Sequence, residues 1–189
     1  TILYNQKMKR GEDLGYVGTF LKQFRDVAKL CDDQKIKIVS NAGGLNPASM
    51  AAEVENIIKE LKLDLKVAYI DGDDLMPRLD ELSSSGEKLK NIDKNNDLFS
   101  YEKKPLTANA YLGAWGIKEA LDNGADVVIC PRVTDAAVVI GPAAWKFNWS
   151  RNDYDQLAGA LAAGHIIECG AQATGCLLYT SPSPRDTRE

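Results

Sequence analysis

Hydrophobic and polar residues follow a pattern along this chain that predicts three short buried strands, each followed by a helix. Apolar runs rich in β-branched residues occur at 36–39 (IKIV), 66–70 (KVAYI) and 126–130 (DVVIC). Such runs are typical of strands in a parallel sheet. Apolar residues three and four apart predict helices at 17–30, 46–61, 75–82, 106–123, 136–145 and 155–169. This order predicts an α/β fold in which helices flank an open, mostly parallel sheet, and the domain is expected to be incomplete. Three strands are too few for a (β/α)8 barrel.

The first strand leads into the turn NAGG (41–44) and then into a helix that Asn46 caps and Pro47 opens. A helix N-terminus beyond the carboxyl end of a strand offers N–H groups to an anion, a contribution of about 0.3–1 kcal/mol. Asn41, Gly43 and Gly44 are therefore candidates for binding an anionic group of a substrate. The alternative left open is that both glycines only form the turn, because the sequence lacks a GxGxxG or Walker pattern.

Two further loops follow strands, at the position where open α/β sheets carry their active sites. In the acidic stretch DGDD (71–74), Asp73 is a candidate for proton transfer, and a solvated turn that caps the next helix is the alternative. After the third strand, Arg132 can bind a carboxylate or phosphate in a bidentate fork, and Thr134 in the same loop is a further candidate for substrate binding. Asp135 can fix the orientation of Arg132 and is also a candidate for proton transfer. A purely structural Arg132–Asp135 pair is the alternative.

The last predicted helix places His165 and Cys169 on one face, with Glu168 beside them. Such a cluster could transfer protons, with His165 as the acid–base candidate, or bind one metal with help from ligands outside the cluster. A packed histidine with one hydrogen bond is the alternative. Gln172 lies in the glycine-flanked loop that follows and is a candidate for substrate binding.

Composition and charge narrow the class of protein. The 189-residue chain has a net charge of −4 and no cluster of Lys or Arg, which argues against a nucleic-acid partner. No apolar run approaches the roughly 18 residues that a membrane-spanning helix needs. Four scattered cysteines without a CxxC motif favour reduced thiols in a cytoplasmic protein. Since His165 is the only histidine, a multi-histidine metal site is excluded, no metal is expected, and the sequence identifies no cofactor.

The chain divides into a partial domain, residues 1–176, and a tail, residues 177–189. The tail resembles a translated sequencing adapter and is expected to be disordered and artefactual. Residue 1 is threonine and the sequence begins within a helical pattern, which indicates an internal fragment. The polar stretch 83–104 is expected on the surface as an insertion or lid.

Five ordered blocks resemble the AtuA family, named for acyclic terpene utilisation. They are SNAGGLNP (40–47), DGDDL (71–75), TANAYLGAWGIKEALDNGADVVI (107–129), RVTDAA (132–137) and AGHIIECGAQATG (163–175). The resemblance implies a role in the catabolism of branched acyclic terpenoids, whose intermediates are CoA thioesters, and it does not specify a reaction. In the position before Arg132, where the family has glycine, this chain has Pro131, which stiffens the loop.

Together these features favour an enzyme that acts on an acyl-CoA or carboxylate intermediate by proton-transfer chemistry of the hydratase or lyase type. The absence of a GxSxG motif argues against an α/β-hydrolase. A non-catalytic acyl-CoA-binding or scaffold subunit is the main alternative, and a nucleotide-binding regulator is a weaker one. A homo-oligomer and a partner protein of the same pathway are both left open.

Overall fold

Three short strands form a parallel sheet in the order β1–β3–β2. They are β1 (Ile38–Ser40), β2 (Val67–Tyr69) and β3 (Val127–Ile129). The structure is a computed structural model and describes residues 3, 4 and 14–170. Ile38 of β1 and Val67 of β2 both align with Val127 of β3. The central strand is therefore flanked on both sides, and all three of its residues are buried.

Six helices accompany the sheet within residues 14–170. They are α1 (Thr19–Gln34), α2 (Pro47–Leu61), α3 (Leu79–Ser84), α4 (Trp115–Asp122), α5 (Ala137–Lys146) and α6 (Tyr154–Cys169), with short 3₁₀ turns at Met76–Arg78 and Leu98–Ser100. The α/β fold class with an open parallel sheet is confirmed. No helix among residues 3, 4 and 14–170 is long and apolar enough to cross a membrane.

Alternate residues of β3 point to opposite faces and so build two separate hydrophobic cores. Val127 and Ile129 pack with α1 and α2, where the largest contributors are Phe24, Met50 and Val54. Val128 and the following Cys130 pack with α4 and α5, where Ile117, Leu121 and Ala137 contribute. Helices thus lie on both faces, which is a doubly wound arrangement.

The first strand–turn–helix unit forms as the sequence predicts. The side chain of Asn46 accepts a hydrogen bond from the N–H of Ser49 at 3.2 Å, and Pro47 occupies the first turn of α2.

In the acidic loop, Asp74 accepts the N–H of Met76 at 3.0 Å, a bond that closes the turn. It does not cap a helix, because neither the 3₁₀ turn Met76–Arg78 nor α3 has a side-chain cap, and the α-helix predicted from residue 75 begins only at Leu79. The stretch 83–104 is largely exposed, as expected.

One predicted helix is wrong over half of its length. Within the stretch 106–123, only α4 (Trp115–Asp122) is helical, and residues 107–113 are extended. The physical reason is pairing with distant loops: Asn109 bridges to Asp74, and Leu112 bridges to Val133. These contacts take up the backbone groups that a helix would have used.

Candidate functional site

The loops after β1 and β3 meet at Gly43. Its N–H donates to the carbonyl oxygen of Cys130 at 3.1 Å. A Cβ atom at position 43 would lie 2.7 Å from that oxygen and 2.8 Å from the Cβ of Pro47. Such distances are too short for any side chain, so close approach of the two loops requires glycine here.

Gly44 is required for a different reason. Its φ of +56° lies in the left-handed region, and a Cβ atom would lie 2.8 Å from the carbonyl oxygen of Gly15. Its N–H donates to the carbonyl of Asn41 at 3.4 Å, and the N–H of Leu45 donates to that of Gly15 at 2.8 Å.

These bonds bear on the expectation that Gly43 and Gly44 bind an anion through their N–H groups. Both N–H groups already donate within the protein, and a ligand would have to replace those bonds. The turn interpretation therefore accounts for both glycines in this structure. Asn41 differs, because its side chain is exposed and free to face a ligand.

Residues 107–113, here called the strap, cross the carboxyl ends of β2 and β3. Four main-chain hydrogen bonds of 2.8–3.1 Å fasten the strap: Leu75 N to Ala108 O, Ala110 N to Asp73 O, Leu112 N to Arg132 O and Thr134 N to Leu112 O. The strap thus joins the acidic loop to the arginine loop, and it brings Thr107, Asn109 and Tyr111 to the site. None of the three is predicted as a site residue from the sequence, because the apolar spacing of this segment indicates a helix.

Asp73 is the buried charged residue at the centre of this arrangement, with 5% of its surface exposed. Its Oδ2 accepts hydrogen bonds from Nδ2 of Asn109 at 2.8 Å and from the N–H of Arg132 at 3.3 Å. A buried carboxylate is stable only when it is paired in this way. Asp73 therefore links three segments that are far apart in the sequence.

Arg132 is exposed and lies over an aromatic ring of the strap. The carbon at the centre of its guanidinium group is 5.4 Å from the ring centroid of Tyr111, a cation–π distance. The Arg132–Asp135 ion pair considered from the sequence is not among those that the described residues form. Tyr111, not Asp135, orients the guanidinium group.

A cavity of about 610 Å³ lies between these loops. Its polar lining includes Asn41, Thr107, Asn109 and Arg132, and its apolar lining includes Leu3, Val17, Leu45, Pro131 and Val133. A neighbouring cavity of about 210 Å³ shares Leu45, Thr107 and Asn109 with it and adds Tyr4, Asp74, Met76 and Leu106. The two spaces form one trough that is cationic at the Arg132 end and mostly apolar at the other.

His165 and Cys169 form a second cluster on α6. The sulfur of Cys169 lies 3.7 Å from Nδ1 of His165 and donates to the carboxylate of Glu168 at 3.1 Å. That hydrogen bond, followed by burial and the charges of Glu168 and Asp135, raises the pKa of the Cys169 thiol. A thiol kept protonated is a poor nucleophile. The predicted shared face is confirmed, but His165 is exposed, not packed.

The residues predicted from the sequence therefore separate into groups. Asn41, Gly44 and Arg132 line the cavity, and Gly43 and Asp73 hold its walls together. Thr134, Asp135 and His165 are all exposed, and none of them is part of the cavity lining. Gln172 and the tail 177–189 lie outside the described residues.

A larger cavity, of about 810 Å³, lies elsewhere, along the outer edge of β2 between α2 and α4. It contains none of the loop residues that carry the candidate chemistry. The smaller trough is therefore the candidate site, because position and chemistry matter more than volume. Within residues 3, 4 and 14–170, no group of three or more His, Cys, Asp or Glu side chains is placed to hold a metal ion.

Comparison with models of protein families gives a match. The family model described as "Acyclic terpene utilisation family protein AtuA" matches residues 1–187, nearly the whole chain. No curated protein and no solved structure matches the chain.

Proposed function

Because this chain belongs to the AtuA family of acyclic terpene utilisation, we propose that it is an enzyme that binds a branched acyl-CoA or carboxylate intermediate in the trough beside Arg132. The proposed chemistry is proton transfer of the hydratase or lyase type. The observation that supports the ligand class is the polarity of the trough, which has a guanidinium group at one end and apolar side chains at the other.

Arg132 is the proposed anchor for the anionic group. Its guanidinium group is exposed and makes a cation–π contact with Tyr111, so its N–H donors are available to a carboxylate or phosphate. The amide groups of Asn41 and Asn109 line the same space and can hydrogen bond to a carbonyl oxygen.

The hydrocarbon part of the ligand is proposed to lie along the apolar arm of the trough. Leu45 lines both spaces, and Met76 and Leu106 line the second one. Methionine and leucine side chains adapt to branched alkyl groups, and burying them against a ligand removes apolar surface from water. The combined shape therefore suits an amphiphilic acyl compound better than a nucleotide.

Of the three acid–base candidates, Asp73 has the position that supports the proposal best. Asp73 does not itself line the trough, but it is bonded to two residues that do, Asn109 and Arg132. Asp135 and His165 also lie outside the lining, and within the described residues neither bonds to a residue of the trough. Both hydrogen bonds of the Asp73 side chain reach Oδ2, and within the described residues none reaches Oδ1. Oδ1 is the oxygen proposed to accept a proton from the substrate or from water.

Binding of the ligand tests the first part of the proposal. We expect Arg132→Ala to weaken binding of a branched acyl-CoA or its free acid about 10- to 100-fold, because a hydrogen bond to a charged group is worth roughly 1.5–3 kcal/mol. Arg151→Ala is the matched control, since Arg151 also lies over an aromatic ring, 5.0 Å from Trp115, but outside the trough. Equal losses in both variants, or no binding by the unmodified chain, would refute the proposed site.

A binding or scaffold subunit is the second candidate function. It is favoured by one observation: the lining of the trough holds no histidine, and the buried Asp73 already bonds to two protein groups. Asp73→Asn distinguishes the two functions, because asparagine preserves an acceptor and removes the base. Loss of turnover with unchanged ligand affinity supports the enzyme, and no turnover by the unmodified chain despite tight binding supports the scaffold.

A further inference from the structure

The outer edge of β2 lacks a neighbouring strand among the described residues, because β2 pairs with β3 on one side only. The N–H of Ile70 donates to Ile129, and the carbonyl of Lys66 accepts from Val127, so residues 66, 68 and 70 face β3. Backbone groups of alternate residues point in opposite directions across a strand. Val67 and Tyr69 therefore direct their N–H and C=O groups outward, where the described residues offer them no hydrogen bond.

This edge is recessed and partly apolar. The cavity of about 810 Å³ runs along residues 65–71, and its walls come from α2 and α4. The side chain of Tyr69 is 49% exposed within it. Charge, proline, a bulge or short length can prevent an exposed strand edge from pairing with another strand. Val67–Tyr69 is only three residues long, but it contains no charge, proline or bulge.

We propose that β2 pairs with β2 of a second copy of this chain, antiparallel about a twofold axis at Ala68, so that the two sheets form one sheet of six strands. In this register Val67 of each copy lies opposite Tyr69 of the other. The outward N–H and C=O groups of both residues then face their counterparts and form four hydrogen bonds across the axis.

The side chains of the edge are complementary to themselves in this register. Val67 belongs to the same core as α2, so the Tyr69–Val67 pairs lie on the α2 face. An aromatic residue opposite a β-branched one is a favourable cross-strand pair. Each pair would cover a tyrosine that is now half exposed, and it occurs twice because of the symmetry.

Charges at the ends of the strand also match. The register places Asp71 of the second copy opposite Leu65, at the end of the cavity that Lys59 lines. Among the described residues, Lys59 forms one long ion pair, with 3.8 Å between its Nζ and a carboxylate oxygen of Glu55. Asp71 and Lys66 form no ion pair among these residues. Lys66 of the second copy lies opposite Ile70, near Glu119 of α4, which lines the same cavity. Each copy thus offers an acidic and a basic partner to the other.

The proposed axis can be tested by disulfide trapping in the full chain, with Cys169 and Cys176 replaced by serine. At the axis, the two Ala68 Cα atoms form a pair without hydrogen bonds and are about 4.5 Å apart, which suits a disulfide. Ala68→Cys should therefore give a covalent dimer on mild oxidation. Ile70→Cys is the control on the same strand and face, because its two copies would be about 14 Å apart.

Two further measurements complete the test. Light scattering after size-exclusion chromatography should show a dimer that Tyr69→Glu converts to a monomer, and this variant leaves the trough unchanged because Tyr69 does not line it. Three results would overturn the proposal: a monomer in the unmodified chain, equal trapping of both cysteine variants, or a dimer that Ala68→Cys fails to trap.

Discussion

Removing the carboxylate of Asp73 should loosen the strap and destabilise the fold. In Asp73→Ala, Nδ2 of Asn109 and the N–H of Arg132 lose their shared acceptor. Each hydrogen bond to a charged group is worth roughly 1.5–3 kcal/mol. Asn109 is only half-buried and can regain a bond to water, which lowers the expected total to about 2–4 kcal/mol.

Urea unfolding followed by fluorescence measures this loss. With a slope of about 2 kcal/mol per molar urea, the middle of the usual range, the midpoint should fall by roughly 1–2 M. Asp73→Asn retains an acceptor oxygen and should cost about 1 kcal/mol, because one of the two bonds persists. Asp33→Ala is the control, since Asp33 is exposed on α1, and it should change stability by at most about 0.5 kcal/mol.

Hydrogen exchange shows whether the loss is local to the strap. The amides of Ala110 and Leu112 donate to Asp73 and Arg132, so both should exchange faster in Asp73→Ala than in the unmodified chain. The amide of Gly43, which joins β1 and β3 without the strap, should keep its protection. If Asp73→Ala unfolds at the same urea concentration as Asp33→Ala, the role of Asp73 as a link between loops is wrong.

Two other predictions follow from the packing and the charges. Gly43→Ala should destabilise the fold by about 1–3 kcal/mol, because its Cβ would lie 2.7 Å from a carbonyl oxygen. Gly18→Ala is the control: its Cβ would meet open space, so it should be neutral or stabilising by up to about 1 kcal/mol. Thermal unfolding compares the two variants, and equal melting temperatures would contradict the close approach at Gly43. Burial has the largest single effect on the pKa of Asp126 and raises it, but hydrogen bonds from Lys37 and from the N–H of Lys66, with nearby lysine charges, bring the pKa below its ordinary value. The stability that Asp126 contributes is therefore complete above its unfolded pKa, about 3.9, and is lost as pH falls through the lowered folded pKa. Asp126→Asn should therefore lose less stability than the unmodified chain as the pH falls from about 5 to about 2. Urea unfolding at several pH values measures this, and identical acid profiles for the two chains would contradict it.

The parts of the fold that depend on local pattern could be predicted from the sequence. The strand–turn–helix at residues 36–61 carries its own signals, a β-branched run, a glycine pair, and Asn46 before Pro47, and it forms as predicted. The strap could not be predicted in this way. Its apolar residues continue the helical spacing of α4, and only its pairing with residues 73–75 and 132–134 makes it extended.

The candidate site shows the same division. Arg132 and Asn41 could be located because they follow strands directly. Asn109 and Tyr111 could not, because they reach the site through contacts with loops 36 and 21 residues away in the sequence, at Asp73 and Arg132. Nothing in the local sequence indicates such contacts. Only the knowledge that residues 107–113 are not helical would have pointed to Asn109 and Tyr111 as site residues.

The strap also determines how ligand affinity and local stability depend on each other. Thr107 and Asn109 line the trough only while the strap is docked, so a molecule whose strap has opened lacks part of its binding wall. The measured dissociation constant then equals the intrinsic constant divided by the docked fraction. A substitution that loosens the strap without touching the ligand will therefore weaken binding, and saturating ligand will slow exchange of the strap amides because it binds only the docked form.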